Sequence, residues 1–584
     1  MVGYKQKIKR ALSSNEESTP SHSNHSCLGN HLLLLWGRGE ISATALQKLA
    51  HAAVLDGCNH NELHMFAAFG NFGQHQGNIT RDLKTYLEKG TQIVYPLPKS
   101  VSTELRDPKT SIVQSGSISF FMPDDLVAGI YKDSIRFQIL FRTHDVSQFW
   151  GTIKEDDPKL IILLKEMNWR REDLQMVVPM FLHGDGVEFN NNDSMMTYHI
   201  GSLLNCESSL DSGLLLAACP KSCTTQTTWD PVWECLCQGF GRCQLGTDTS
   251  GSDIAGGWKF VIWQLLGDHD QFSNQYGLPH WGNHCYCWEC KANKTSDTIS
   301  GFDFGLGSGH VIPQRTIAEE LDQRLSKHPL FRIRGLSHFN IAQDMLHICF
   351  VHGVVNKSIG AALKEWCWKN GKGRQTQSPA TRLGWIFSRI QALYADRNIP
   401  CRLSNLQLKM FVNPDRPHQQ HPELKCKGAE CKWLTKIFHT LAQELHDNTE
   451  KSVHIESLFR HMSHFQDLVD LSPFVPTLHQ AAQAEHHMGQ FLFHYSWLAQ
   501  NKAEDDLNWH IVFKHHMALH LSQNFKWMNC KFNWCFKSED FVGRISIMAH
   551  SVCFGVKSTA ITPKLMEKYR LLMYIKFSRG HAEE

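Results

Sequence analysis

WKFVIWQLLGDHDQFSNQYGLPHWGNHCYCWEC, residues Trp258 to Cys290, decides how the rest of the chain is read. Phe260 to Leu266 is an apolar run, interrupted only by Gln264, of strand length and with β-branched members. Such a run predicts a strand buried on both faces. It stops at Gly267, and Asp268 follows at once. Open α/β sheets place their ligand-binding and catalytic groups just past the carboxyl ends of buried strands. Nineteen residues on (287 − 268) comes Cys287-Trp-Glu-Cys290. In a reducing compartment a C-x2-C pair is half of a zinc site. The fold class follows as α/β, and two questions remain: what works with Asp268, and what completes the cysteine pair.

A second apolar run, Met176 to Leu182, predicts another buried strand, ending in His183-Gly-Asp185-Gly186. Flanking glycines leave the backbone close to the carboxylate, as a metal or phosphate ligand needs. Asp-Gly is also a common turn pair, and alone this aspartate reads as a turn residue. Two strand-end carboxylates on one sheet make a candidate two-metal site. Between them lie Cys206, Cys219, Cys223, Cys235, Cys237 and Cys243. Cys219-x3-Cys223 and Cys235-x-Cys237 offer a second ligand set or, given their irregular spacing, simply buried thiols.

The partner of the cysteine pair lies far downstream. His516 and His520 share one face of a predicted helix, and two imidazoles one turn apart are how a helix offers two metal ligands. Nineteen residues further (539 − 520) is Glu539, which Ser538 predicts as the first residue of a helix burying Phe541, Val542, Ile545 and Met548. The first turn of a packed helix is a rigid place for a third carboxylate. Asp270 competes with Asp268, Glu430 or Asp540 with Glu539, and His515 with His516.

Composition bounds the remainder. The 584 residues carry 42% hydrophobic and 20% charged residues, an ordinary soluble globular chain of several domains. A net charge of +2 excludes a polycation, so any nucleic-acid contact must come from local patches. The 19 cysteines follow no disulfide pattern, the N-terminus has no signal peptide, and no apolar stretch approaches ~18 residues. The expectation is an intracellular protein with no membrane span. With 35 histidines, a lone His carries no meaning.

Residues 1–30 are Ser/Asn/His-rich and read as a disordered tail. Residues 31–110 hold short helices starting near Ile41, Asn61 and Asn78, a plain helical subdomain or a helix-turn-helix DNA-binding unit. Residues 111–175 mix a strand at Ser117–Phe121 with a helix at Pro158–Met167. Residues 176–300 form the core's first part. Residues 301–510 open with a Gly-rich loop and continue as helices, including Asn340 to Val355, Gly360 to Trp368, Leu424 to Leu445 and Leu478 to Asn501. Residues 511–555 complete the core. In residues 556–584, Lys557, Lys564, Lys568, Arg570, Lys576 and Arg579 face a single acid, Glu567, which reads as a basic tail.

Asp185 and Asp268 after strands, a C-x2-C about twenty residues on, a helical insertion, His516-x3-His520 and then Glu539 together resemble a DDE transposase. More narrowly the set resembles the Tnp2-type transposases of CACTA elements, in the group that includes Mirage, Chapaev and Transib-like enzymes. Lys514-His-His516-Met-Ala-Leu-His520-Leu is similar to the family's histidine motif, and Trp534, Glu539 and Gly543 to its Trp…Glu-Arg…Gly block. Asp540 stands where the family has a basic residue, and Ser538 where it has an aromatic one. The resemblance spans roughly residues 176 to 555. It implies an RNase H-like core interrupted between its second and third acids by a large helical insertion. It implies two Mg²⁺ ions on Asp185, Asp268 and Glu539, one structural zinc on Cys287, Cys290, His516 and His520, and DNA strand cleavage and transfer by a homo-oligomer acting in the nucleus on transposon ends and target DNA. Two other classes compete: a domesticated, inactive zinc-containing DNA- or protein-binding protein, and an unrelated metallohydrolase built on the His183 turn.

Overall fold

In the computed structural model the described residues are 25–70, 78–88, 95–205, 212–296, 300–304, 312–369, 376–503 and 506–579. They divide into two compact units. One comprises Met1–Tyr95, Ile547–Phe554 and Glu567–Glu584; the other comprises Pro96–Ser546 and Gly555–Met566.

The second unit is built on one mixed six-stranded sheet. Its strands are β1 (Lys99–Arg106), β2 (Val113–Phe120), β3 (Val177–Asn190), β4 (Asp193–Ser202), β5 (Leu214–Pro220) and β6 (Lys259–Leu266), in the spatial order β1-β2-β5-β4-β3-β6. Both apolar runs are strands, and they lie side by side and parallel. Parallel neighbours need a long crossover, and helix α1 (Asp230–Leu245) supplies it between β5 and β6. Pro231 sits at its start, and Gly246, at φ 73°, closes it in the left-handed conformation that favours glycine. Trp233 of α1 packs on Tyr198 of β4, ring centroids 4.9 Å apart, and Trp263 of β6 packs on Trp150 at 5.0 Å.

Two expectations change here. β3 does not stop at Leu182: it runs through His183-Gly-Asp-Gly and turns back as a hairpin, with Asp185 opposite Thr197. Asp185 is a strand residue rather than a turn residue, because β4 supplies backbone partners where the apolar pattern ends. The Asn340–Val355 helix is also replaced. Ile341 forms a parallel bridge to Leu265, Ala342 N–H donates to the Leu265 carbonyl at 2.9 Å, and a π-helical turn covers Leu346–Phe350. The segment covers the open edge of β6, whose backbone groups need partners once buried.

The helices that follow are α2 (Val354–Lys364), α3 (Pro379–Asp396), α4 (Gly428–Glu444), α5 (Glu450–Leu471), α6 (Leu478–Gln500), α7 (Phe513–Gln523) and α8 (Phe536–Cys553). The stretch Leu346–Lys369 is long and apolar enough to cross a membrane by length and composition, which the sequence reading did not anticipate; 78% of its apolar window is buried inside the molecule. Helix α8 begins at Phe536, three residues earlier than predicted, so the buried Ser538 is a helix residue and not the cap. Glu539 still lies in its first turn, and Phe541, Val542 and Ile545 are buried as expected.

In the first unit, helices Cys27–Gly37, Ala43–Leu55, Asn61–Ala67 and Ile79–Glu88 pack with the end of a helix spanning Ile561–Arg579. The first of them starts inside the stretch expected to be disordered; residues 1–24 of that stretch lie outside the described residues. The expected basic tail is a packed helix. Leu571, Tyr574 and Ile575 enter the core, and the buried Arg570 is held by Glu567 at 2.8 Å and Glu88 at 2.7 Å. Its charge is spent on neighbours within this unit.

Candidate functional site

The pairing of β3 with β6 ends at His183 opposite Leu266. Asp185 lies two residues further along β3 and Asp268 two residues past the end of β6 (183 + 2, 266 + 2), close enough for the Asp268 charge to act on Asp185. The glycines make this approach possible. A Cβ on Gly267 would lie 3.0 Å from the Gly184 carbonyl oxygen, and one on Gly184 would lie 2.6 Å from Gln271 Nε2 and 2.7 Å from the Tyr198 ring. Gly186 N–H donates to Asp185 Oδ1 at 2.6 Å, and Gln271 N–H to Asp268 Oδ1 at 2.7 Å, which fixes both side chains.

Helix α8 delivers Glu539 from 271 residues beyond Asp268 (539 − 268). One ligand atom each of His183, Asp185 and Glu539 lie within 4.8 Å of one another. The competing acids are elsewhere. Asp540 is exposed and paired with Arg544 at 3.1 Å. Glu430 accepts from Lys427 N–H at 2.9 Å in the capping box of α4. Asp270 is exposed, whereas Asp268 is the aspartate whose charge acts on Asp185.

Three further members stand outside the expected ligand set, although His183 lies beside Asp185 in the sequence and carries the metallohydrolase alternative. His183 shares a strand face with Asp185, and neither of its ring nitrogens has a hydrogen-bond partner among the described residues. Asp344 accepts from Leu346 N–H at 2.9 Å and from Cys535 N–H at 3.0 Å, joining the π-helical turn to the start of α8. It also holds Nδ1 of His347, whose Nε2 lies 3.7 Å from Glu539. The available signal was Asp344-Met-Leu-His347, an acid and an imidazole three apart, which the helical assignment hid among core residues.

The electrostatics describe a place short of positive charge. Burial raises the Asp185 carboxyl above its ordinary range, and the charge of Asp268 raises it further. Burial, then Asp185, push Glu539 up to about 8. Burial opposes charging of His347, but the hydrogen bond and charge of Asp344, with Glu539 and Asp268, lift it to about 9. Burial holds His183 neutral, well below the usual imidazole range. Like carboxylates crowded together resist ionisation unless a cation joins them. Glu539 shares a hydrogen bond with Asp185, and its Oε1 lies 3.7 Å from His347 Nε2. Oxygen and nitrogen donors within 4.8 Å of one another, with both His183 nitrogens unpartnered among the described residues, fit a divalent cation; the carboxylates suit Mg²⁺, and the imidazole widens the choice to Mn²⁺.

A cavity of about 410 Å³ opens beside Asp268, lined by Asp344, His347, Lys357, Lys514 and the exposed Trp281 among others. Lys514 Nζ donates to the Val351 carbonyl at 2.9 Å, and burial followed by the Lys357 charge brings it down to about 8.

The four predicted zinc ligands also come together. Cys287 Sγ lies 3.4 Å from His520 Nε2, Cys290 Sγ 3.4 Å from His516 Nε2, and the two Nε2 atoms are 3.1 Å apart. All four are buried and lie within 4.8 Å of one another. Four ligands at 2.0–2.3 Å around a tetrahedral centre sit roughly 3.3–3.8 Å apart. The other ring nitrogens are already engaged: His516 Nδ1 with the Gly301 carbonyl at 3.0 Å, His520 Nδ1 with Gln523 Oε1 at 2.9 Å. Each Nδ1–H donates outward, so each Nε2 lone pair faces the centre, the usual way a protein aims metal-binding histidines. His515 points away, with Nδ1 at 3.1 Å from Val512 N–H and its ring 4.2 Å from Tyr495. The upstream thiols form no comparable group among the described residues: burial raises Cys219, Cys237 and Cys243 and keeps them protonated. Cys206 lies outside the described residues.

The chain matches no protein-family model and no curated protein.

Proposed function

We propose that the protein is a DDE-type phosphoryl transferase that cleaves and joins DNA strands, with Asp185, Asp268 and Glu539 as its acids. The observation that carries this is the meeting of β3, β6 and α8: the parallel strands end with Asp185 and Asp268 close enough for one charge to act on the other, and a helix first turn brings Glu539 within 4.8 Å of Asp185 and His183, a group that does not include Asp268. An RNase H-like core asks for this arrangement. The order β5-β4-β3-β6, three antiparallel strands and then a parallel strand reached through α1, supports that fold, with helices α2 to α6 as the insertion between the second and third acids.

When bound, divalent cations activate the attacking water or 3′-hydroxyl and stabilise the leaving oxygen of an in-line displacement at phosphorus. The residues' own parts follow from the geometry. Asp185 and Asp268, pinned by Gly186 and Gln271 amides, present oxygens in a fixed pair. Glu539 surrenders a proton on ligation, since burial and Asp185 hold that proton near neutral pH. His347, kept cationic at neutral pH by Asp344 against the cost of its burial, sets a positive charge beside the acids. Lys357, Lys514 and Trp281 line the adjoining cavity with the charge and ring that a nucleic-acid backbone and base would use. Cys287, Cys290, His516 and His520 would hold one zinc ion, a structural clamp because all four positions are filled by protein. A partner of DNA, a homo-oligomeric assembly and a nuclear setting follow from the same proposal.

The test is the full chain with supercoiled and with nicked DNA in Mg²⁺ or Mn²⁺. Wild type should produce strand breaks or joined products, and Asp185→Asn should lose them while keeping DNA binding within about twofold, since the carboxamide keeps shape but loses the charge that ligates. Equal cleavage by both proteins would remove Asp185 from catalysis. DNA binding without cleavage in the wild type, in both metals, would favour a domesticated binding protein.

A further inference from the structure

Far from the acids in sequence, α5 and α6 face each other through histidines. Seven residues separate His454 from His461 on α5, and seven separate His487 from His494 on α6 (461 − 454, 494 − 487). That spacing keeps each pair on one helix face. The helices run antiparallel, so the pairs meet as two rungs: His454 Nδ1 lies 2.9 Å from His494 Nδ1, and His461 Nδ1 lies 3.0 Å from His487 Nδ1. The first rung is covered by a ring, Trp497 stacked on His454 at 3.8 Å between centroids. The second is different, because a third imidazole reaches it. One ligand atom each of His461, His486 and His487 lie within 4.8 Å of one another.

His486 is what a simple seam contact does not explain. Successive helix residues point about 100° apart, so neighbours do not ordinarily converge on one spot. Yet His486 and His487 both bring a nitrogen to His461, although His486 remains exposed. Imidazole must be neutral to ligate, and here it is: burial, with the nearby Arg460 charge, holds His461 down at about 3, and burial lowers His487 as well.

We propose that His461, His486 and His487 form a second metal site, made of nitrogen alone, that takes one borderline divalent transition-metal ion of the zinc class. Three imidazoles suit Zn²⁺, Co²⁺ and Ni²⁺, and offer little to Mg²⁺. The exposed side of His486 leaves the fourth position to water, so this ion exchanges more readily than one in the closed Cys287/Cys290/His516/His520 set. The ion joins the α5–α6 hairpin at mid-length, where burial of apolar side chains is interrupted by the polar rung.

The experiment titrates metal-free full-length protein carrying Asp185→Asn and Glu539→Gln, so that the carboxylate site takes no ion, with Co²⁺ and counts equivalents by absorbance and elemental analysis. This parent protein should take two. One gives the near-ultraviolet thiolate-to-metal band of a sulfur-containing centre; the other gives ligand-field absorption without it. His486→Ala is exposed and places a good helix former in a helix, so it should fold normally; it should lose the sulfur-free equivalent and keep the thiolate band. His461→Gln should do the same, and Cys290→Ser should do the reverse. Saturation of this parent protein at one equivalent would overturn the site. So would a second equivalent that survives in both His486→Ala and His461→Gln, since the ion would then be held elsewhere among the 35 histidines.

Discussion

Two glycines near the acids have opposite environments, and each makes a prediction at the scale of one methyl group. Gly184 lies between Gln271 and the Tyr198 ring, with no room for a Cβ. Gly184→Ala must push β3 away from those neighbours, and Asp185 moves with it. Overpacking of this kind costs about 1–3 kcal/mol. We expect a lower urea midpoint with an unchanged slope, and Mn²⁺ binding weakened at least tenfold. Gly543, part of the block that resembles the transposase family, has nothing within 4 Å of where its Cβ would be. It lies inside α8, where alanine is favoured over glycine by about 1 kcal/mol. Gly543→Ala should therefore leave stability unchanged or raised, and cleavage intact. A large loss of activity in that variant would show that the glycine is needed for close approach of DNA rather than for the fold.

Among the elements, the Cys287/Cys290/His516/His520 cluster joins the loop that follows β6 to helix α7, close in sequence to the second and third proposed acids respectively. The loop has little core of its own: Tyr286, Cys287, Cys290 and Ala292 form a small cluster, with Phe302, Ile312 and Phe513 against it. Without a central ion, two thiols and two imidazoles there would be buried polar groups in mutual contact, and the metal is their natural satisfaction. Cys290→Ser should drop zinc content from about one per chain at this centre to near none, and should lower the thermal midpoint and cleavage together. Cys285→Ser, on an exposed neighbour, should change none of the three. This clustering of four side chains was legible in the sequence because its spacings are chemical and survive any error in helix boundaries. The strands β3 and β6 were legible as apolar runs, and α6 and α8 as periodic ones. What escaped was structure carried by backbone pairing. The continuation of β3 through His183-Gly-Asp-Gly has no side-chain pattern, so Asp185 looked like a turn residue. The stretch from Ile341 bridges the edge of β6 although its apolar residues read as a helix, and with it Asp344 and His347 went unnoticed. The buried Arg570 shows the same limit: sequence counts a charge, while packing decides whether it faces solvent.

Across the whole molecule, the histidines decide how stability depends on pH. Burial holds His199 and His515 down at about 3 and, with the His280 charge, His269 also at about 3. His328 is brought down to about 4 by burial and then by Arg332; its ring is wedged between Trp233 and Tyr276, centroids 5.2 Å from each, and its Nδ1 accepts from Leu330 N–H. For each, the folded value lies below the unfolded value of about 6.5, so the folded state favours the neutral ring. Their contribution is fully present above about 6.5 and is lost as pH falls toward 3–4. At pH 5 each costs the folded state up to about 2 kcal/mol, because the unfolded chain takes up the proton that the folded one refuses. His347 and Glu539 run the other way: their folded values are raised, so what they contribute is present at low pH and lost as pH rises to about 9 and about 8. Four depressed imidazoles outweigh these two on the acid side, and divalent cation cancels the Glu539 term on the alkaline side. Urea midpoints of the metal-loaded protein should therefore plateau near pH 7–8 and fall steeply between pH 6.5 and 4.5. His328→Gln keeps a polar side chain of similar reach but cannot titrate. Its midpoint should be lower than wild type at pH 7.5, where the ring's packing is missed, and the gap should narrow by about 1–2 kcal/mol on going to pH 5. A gap that stays constant across that range would mean that His328 is protonated in the folded protein, and that its ring lies open to solvent rather than between Trp233 and Tyr276.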